Sequence, residues 1–152
     1  MTNNGSGAIL DSLDLRSELS ELPRVHAWVE SIAARYGVPM KVQFAMKLCL
    51  EEALSNTIRH GYSAQPDRPI RVEMRSPEDG QFVFTIDDEA KPFNPADAPD
   101  LPALRLDSAD IGGQGIRLLR KFADTLEYEA TPVGNRLSIG FFLKEPPVAG
   151  KF

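Results

Sequence analysis

Glu52 and Asn56 stand four residues apart in the run Glu51-Glu52-Ala53-Leu54-Ser55-Asn56-Thr57-Ile58-Arg59-His60-Gly61-Tyr62, inside a stretch of helical periodicity. On a helix they project from one face, a single turn apart. A carboxylate and a carboxamide placed that way can share one small polar target. Mg²⁺ carrying phosphates suits them, because that ion takes oxygen donors and is held by one or two protein groups together with phosphates. Downstream, Gly112-Gly113-Gln114-Gly115 leads into Ile116 and a helix-like segment. Glycine-rich backbone at a helix N-terminus offers unpaired amides to a polyphosphate. The two patterns together predict a nucleotide site.

A third pattern is Asp87-Asp88-Glu89-Ala90-Lys91-Pro92-Phe93, which follows directly on a strand-like run. A carboxylate at a strand end can accept a hydrogen bond from an exocyclic amine such as that of adenine. Taken singly, each pattern has a plainer reading: a solvated strand end, a glycine hinge, a polar helix edge. His60 falls near the middle of its helix's apolar arc on a regular wheel and, alone, reads as a helix-end residue near free carbonyls. Cys49 and Trp28 read as packing residues.

The elements that must hold these residues follow from periodicity. Ala8 to Leu15 alternates apolar and polar residues and predicts a strand. Leu19, Leu22, Val25, Trp28, Val29 and Ile32 recur at helical steps; Pro23 moves that helix's start toward Leu22, and Gly37 ends it. A second helix runs from Pro39 to about His60, with Gly61 as its stop. Val42, Ala45, Met46, Cys49, Leu50 and Ala53 form its apolar arc, while Lys47, Glu51, Ser55 and Arg59 lie away from it. Glu52 and Asn56 fall on the border, where a cleft would open. Ile70–Arg75 and Phe82–Asp87 read as strands joined by the turn Pro77-Glu78-Asp79-Gly80. Lys91 to Asp110, with Pro92, Pro95, Pro99 and Pro102, reads as a long functional loop. A short helix over Gly115–Ala123 and strands at Thr125–Ala130 and Arg136–Leu143 complete the order. Strands arriving in hairpins with interspersed helices predict an α+β, two-layer sandwich: a mixed, mostly antiparallel sheet with helices on one face.

Length and composition set the bounds. At 152 residues the chain suits one domain with its own core. Its 42% hydrophobic and 26% charged residues are ordinary for a globular protein. The formal charge of −5 argues against generic nucleic-acid binding, which needs a basic surface. Cys49 is the single cysteine, so no internal disulfide can form. Met1 to Gly7 lacks the features of a secretory signal, and no run approaches the ~20 apolar residues of a membrane span. The expectation is a cytoplasmic protein, with no nucleic-acid or membrane partner. The expected division is a loose tail over 1–7, a domain over 8–144 with a lid at about 94–114, and a tail over 145–152.

The order Glu-x-x-x-Asn on a helix, Asp after a hairpin strand, a long lid, then Gly-Gly-x-Gly opening a helix resembles the Bergerat-type ATP site of the GHKL superfamily. That superfamily includes gyrase, histidine kinases and MutL. The likeness spans about residues 9–143. Within it, Glu51 to Tyr62 and the ending Gly134-Asn135-Arg136-Leu137-Ser138-Ile139 are similar to the bacterial anti-sigma-factor serine kinases, which are small stand-alone members.

The resemblance implies roles. Asn56 would ligate Mg²⁺, and Glu52 would be the general base. Asp88, five residues before Phe93, would bind the adenine amine. Arg59 or His60 would lie near the phosphates. Gly112, Gly113, Gln114, Gly115 and Ile116 would bring backbone to the phosphate tail. Ala90 and Lys91 stand where the family has a glycine-centred stretch, so Asp87 remains an alternative adenine partner. The implied activity is transfer of the ATP γ-phosphoryl to a serine of a STAS-domain antagonist, with a sigma factor as second partner and a homodimer as the assembly. Other readings are an ATP-dependent interaction module without kinase activity, a detached histidine-kinase catalytic domain, or a nucleotide-free structural domain.

Overall fold

The computed structural model describes residues 7–91 and 111–143, with side chains in the last helix from Arg117 onward. Strand β1 (Ile9–Arg16) leads through a 3-10 turn, Leu19–Glu21, into α1 (Leu22–Tyr36). Helix α2 (Met40–Asn56) continues into a π-helical turn, Thr57–Gly61. A hairpin of β2 (Pro69–Arg75) and β3 (Gln81–Asp88) follows. Helix α3 (Ile111–Phe122) precedes a second hairpin, β4 (Thr125–Ala130) and β5 (Asn135–Phe142). The sheet order is β1-β2-β3-β5-β4. Every pairing among these strands is antiparallel, so the expected α+β sandwich forms without a parallel component among the described residues.

Alternation sorts the two faces of the sheet. Val72, Phe84, Ile86, Ile139 and Phe141 point to the helices and are buried. The opposite face carries a row of register partners across all five strands: Asp14, Arg71, Asp87, Arg136 and Glu129. Their signs alternate. Arg71 Nη1 reaches Asp14 Oδ1 at 2.8 Å and Arg136 Nε reaches Asp87 Oδ1 at 2.6 Å. Half-exposed pairs like these add little stability. They matter for register, because a one-residue slip would turn this row into the core.

The helix ends follow their sequence signals. Pro23 sits in the first turn of α1, and Gly37 closes that helix with φ 64 in the left-handed region. The helical run that α2 begins stops at Gly61, at the end of the π-turn, and Gly61 does so without a positive φ. Space there is tight: a Cβ would stand 3.2 Å from the Cβ of Ala90. Ala45, Met46, Cys49, Leu50 and Ala53 are buried as the apolar arc requires, and Val42 is half-buried. Ser55, expected outside the arc, is buried as well, beside the fully buried Leu54. The reason is that α2 packs against both α1 and α3 as well as the sheet, so a one-sided wheel understates its burial. Burial pushes the Cys49 thiol up to about 12, which makes it an inert core group. Trp28 packs edge-on to Phe84, ring centroids 5.7 Å apart, and its Nε1 donates to Asp11 Oδ1 at 3.1 Å.

Helix α3 begins at Ile111, before the expected Gly115, so residues 111–114 of the expected lid are helical. Residues 92–110, with Phe93, and both expected tails except Gly7 lie outside the described residues. No helix among the described residues is long and apolar enough to cross a membrane. Leu54→Ala is expected to cost about 2–5 kcal/mol, the range for emptying a fully buried leucine site. Urea unfolding at constant m-value measures it.

Candidate functional site

The C-terminal end of α2 abuts the end of β3 and the start of β5, and a narrow cleft lies between them. Asn56, Gly61, Ile86, Asp88, Tyr128 and Asn135 line it. Asn56 is only 4% exposed, yet neither its Oδ1 nor its Nδ2 has a hydrogen-bond partner. Buried polar side chains are nearly always bonded, and leaving one unpaired costs about 1–3 kcal/mol. A carboxamide held this way presents an acceptor and a donor to a ligand.

Asp88 is buried at 8% exposure. Its Oδ1 accepts from Asn135 Nδ2 at 2.9 Å and from the Ala90 amide at 2.9 Å. Burial raises its carboxyl pKa, and those two donors pull it back. Asp87, by alternation, points to the other face and pairs with Arg136. Of the two aspartates, Asp88 is therefore the one that faces the cleft. Ala90 replaces the glycine of the family pattern without strain, since it is not among the residues of positive φ.

Glu52 lies one turn before Asn56 and is half-buried. Burial raises its carboxyl pKa, Glu51 adds to the rise, and Arg59 opposes it. Glu52 and Arg59 are thus electrostatic neighbours. Arg59 and His60 are exposed, and the His60 carbonyl accepts the Ser63 amide at 3.3 Å. His60 sits off the wheel that placed it in the apolar arc, because the π-helical turn is wider than an α-turn. The Tyr62 amide bonds back to the Thr57 carbonyl at 2.8 Å, five residues earlier. Gly112, Gly113, Gln114, Gly115 and Ile116 lie in the first half of α3.

Sequence reasoning left three positioning residues out of the site. Asn135 is the register partner of Asp88. Its Nδ2 also lies 2.9 Å from the Lys91 carbonyl, and its Oδ1 accepts from the Tyr128 hydroxyl. Tyr62 donates its hydroxyl to the Pro69 carbonyl at 2.6 Å and accepts the Glu89 amide at 2.7 Å, tying the helix end to the Asp88 segment. Gly134 passes so close to β3 that a Cβ would lie 2.0 Å from the Asp88 carbonyl oxygen. The available signal was Gly134-Asn135, which opened the ending that resembles the family but was given no role at the site.

The cleft encloses about 30 Å³, far below the ~300–1,000 Å³ of ligand-bearing sites, so a nucleotide has to spread it. A larger cavity of about 570 Å³ lies on the open face of the sheet. Its Arg71 and Arg136 are already engaged by acids, and it contains none of the unpartnered groups.

Comparison with known proteins agrees with this geometry. Residues 15–141 match the histidine kinase-like ATPase domain. The chain is 30% identical over 130 residues to the serine/threonine-protein kinase BtrW of Bordetella bronchiseptica, covering 85% of this chain and 91% of that one. The blue-light-activated histidine kinase EL346 of Erythrobacter litoralis has the same fold, with a TM-score of 0.53 and 19% identity over 82% of this chain and 41% of that chain. Against the histidine kinase domain of that protein the TM-score is 0.49, at 19% identity over 92% of this chain and 66% of the other. This chain thus spans part of those two structures. The chain belongs to the histidine kinase-like ATPase domain family, which makes ATP the ligand class for which the fold is built.

Gly134→Ala is expected to force apart backbone that cannot yield, costing about 1–3 kcal/mol or more and removing the melting shift on adding Mg-ATP. Gly80→Asn is the control, because Gly80 faces open space and asparagine tolerates its positive φ. Thermal melts of both variants, with and without nucleotide, check this.

Proposed function

We propose that the chain is an ATP-dependent protein serine/threonine kinase that phosphorylates a STAS-domain antagonist and also binds a sigma factor, acting in the cytoplasm. The observation that carries the reading is the buried, unpartnered Asn56 one turn beyond a half-buried Glu52 in a chain of this ATPase-domain family. The relative named as a serine/threonine-protein kinase supports serine as acceptor. The single buried cysteine and the absence of a membrane-crossing helix among the described residues support the compartment.

Asn56 Oδ1 fits a hard cation, because it is an oxygen donor already stripped of water and of protein partners. Mg²⁺ bound there supplies charge neutralisation at the phosphates. Asp88 would accept the adenine amine on the side of its carboxylate not taken by Asn135 and Ala90. Glu52 would take the proton of the serine hydroxyl as its oxygen bonds to the γ-phosphorus and the bond to the β-phosphate oxygen breaks, leaving ADP. Arg59 beside Glu52 partly opposes the rise that burial and Glu51 impose on that carboxyl. The α3 N-terminus would meet the phosphate tail with backbone amides and the positive end of its dipole.

The shared fold with a histidine kinase favours one other reading, a histidine-phosphorylating domain. Acid-stable label on a STAS-domain serine after incubation with labelled ATP supports the serine kinase. Acid-labile label on histidine overturns it.

Asn56→Leu removes an unsatisfied buried amide at similar volume. The apo protein is expected to melt no lower than wild type, while the Mg-ATP shift vanishes. Saturation at ~100 times the dissociation constant should otherwise give about 2.7 kcal/mol of stabilisation.

Glu52→Gln is expected to keep nucleotide binding and lose transfer. Burial holds the folded Glu52 pKa above its ordinary 4.5, so the wild-type rate should fall as pH drops through that raised value. The folded state binds the Glu52 proton more tightly than the unfolded chain does. Stability from this group is therefore present at low pH and lost as pH rises through the window above 4.5. Glu52→Gln should accordingly melt above wild type at pH 7, with the gap closing toward pH 4. Paired pH–rate and pH–melting profiles measure both signs.

A further inference from the structure

The connection from the π-turn to β2, residues 62–68, holds three non-glycine residues in the left-handed region: Ser63 at φ 52, Ala64 at φ 61 and Asp67 at φ 61. Aspartate tolerates that region, serine and alanine take it at a cost, and glycine takes it freely. Gly61, next to this loop, has no positive φ. The strain is therefore imposed by what surrounds the loop, and its sequence does not relieve it. Strained backbone persists only where neighbours over-determine it, and it gathers at sites that need fixed geometry.

The neighbours are specific. Ser17, just past β1, is buried, and its hydroxyl donates to the Gln65 carbonyl at 2.6 Å and accepts the Arg68 amide at 2.9 Å. The Gln65 amide in turn donates to the Tyr62 carbonyl at 2.9 Å, and the Ala64 amide to the Ile58 carbonyl at 2.9 Å. Both ends of the loop then reach one residue, Glu89. Tyr62 accepts the Glu89 amide on its hydroxyl at 2.7 Å. Arg68 holds its guanidinium over the Tyr62 ring, 5.6 Å from the centroid, with Nη2 3.7 Å from Glu89 Oε1. A half-exposed ion pair of that length adds little stability. Its use is directional, because Glu89 follows Asp88 directly and the backbone fixed there aims the Asp88 carboxylate.

We propose that residues 62–68 form a strained clip, braced by Ser17, that aims Asp88 at the exocyclic amine of the nucleotide base, with Ser17 and Arg68 as positioning residues. The assignment rests on the contact between Asp88 and adenine proposed above. Neither Ser17 nor Arg68 lines the cleft, so their effect travels through Tyr62 and Glu89. Without the brace, Ser63 and Ala64 return to ordinary negative φ. The Tyr62 hydroxyl and the Glu89 amide then lose their fixed relation, and Asp88 loses its aim. The phosphate end of the site, at Asn56, is untouched by that change.

The test compares two ligands by titration calorimetry on the full chain: the magnesium salts of ATP and of purine riboside triphosphate, which lacks the 6-amino group. Wild type should bind ATP about tenfold more tightly, the worth of one hydrogen bond to a charged group. Ser17→Ala and Arg68→Met should each shrink that preference to about twofold, by weakening ATP while the analogue binds as it does to wild type. Arg68 is half-exposed, so Arg68→Met reads the clip even if Ser17→Ala disturbs packing. Ala64→Gly added to Ser17→Ala should restore most of the preference, because glycine takes the left-handed conformation without a brace. An equal loss for both ligands means general loosening and overturns the proposal. A preference unchanged in both variants, or one that Ala64→Gly does not recover, overturns it as well, with the adenine contact left standing. Wild type binding the two ligands equally sinks the adenine contact itself, and the clip with it.

Discussion

Asp88 and Asn135 face each other as register partners where the two central strands meet the end of α2. A carboxylate and a carboxamide are expensive to bury, and the arrangement is tolerable only because each satisfies the other. Asn135 gives its amide protons to Asp88 and to the backbone that follows it, and takes the Tyr128 hydroxyl. The surrounding choices follow from that pair. Gly134 has no side chain because the β5 backbone has to run against the Asp88 carbonyl. At Gly61 the helix end comes close to Ala90, where a Cβ would stand 3.2 Å from the Ala90 Cβ. Tyr62 holds the Glu89 amide so that the Asp88 segment cannot swing away. Asn56 enters the same enclosure with no partner at all, and that asymmetry among three buried polar groups gives the cleft its chemistry.

The far face of the sheet serves the cleft by fixing register. Asp87 precedes and Arg136 follows its cleft-facing neighbour by one residue in the alternation, and their ion pair locks the outward row. Slipping β3 by one residue against its neighbours would aim Asp87 at the helices and push Asp88 to solvent. Burying Asp87 without Arg136 would leave an uncompensated charge, a cost of several kcal/mol. The paired row contributes little as attraction and much as a penalty against the wrong alignment.

The parts of this design that obey local periodicity were legible in the sequence. Strand alternation, the Gly37 stop and the four-residue spacing of Glu52 and Asn56 gave the elements to within a residue or two, apart from the start of α3. What depended on tertiary closure was not. Ser55 reads as a solvent residue on a wheel that knows nothing of the helix packed on its other side. His60 reads as core on a wheel of constant pitch, and the π-turn breaks that pitch. Asp87 and Asp88 could not be told apart until the register with β5 was known. Asn135 was hidden for a related reason. Its importance lies in what stands opposite it 47 residues earlier, a relation that spacing along the chain does not encode.

The tightness of the cleft and the isolation of Asn56 act against each other, and magnitudes decide between them. Spreading the walls to admit a nucleotide would part a lining that includes the apolar Ala53, Ile86 and Leu137. At ~25 cal/mol per Å², each roughly 40 Å² of apolar surface newly exposed costs about 1 kcal/mol. Leaving the Asn56 amide unpaired already costs about 1–3 kcal/mol, and a ligand that bonds both of its polar atoms returns that cost. The sum favours opening only for a ligand that reaches Asn56. A base or nucleoside that fills the Asp88 end alone bears the cost of spreading and recovers little of it. On the proposed assignment, with Asn56 at the phosphate end and Asp88 at the base, the cleft would select the whole nucleotide, because only the phosphate end offsets the cost of admitting the base.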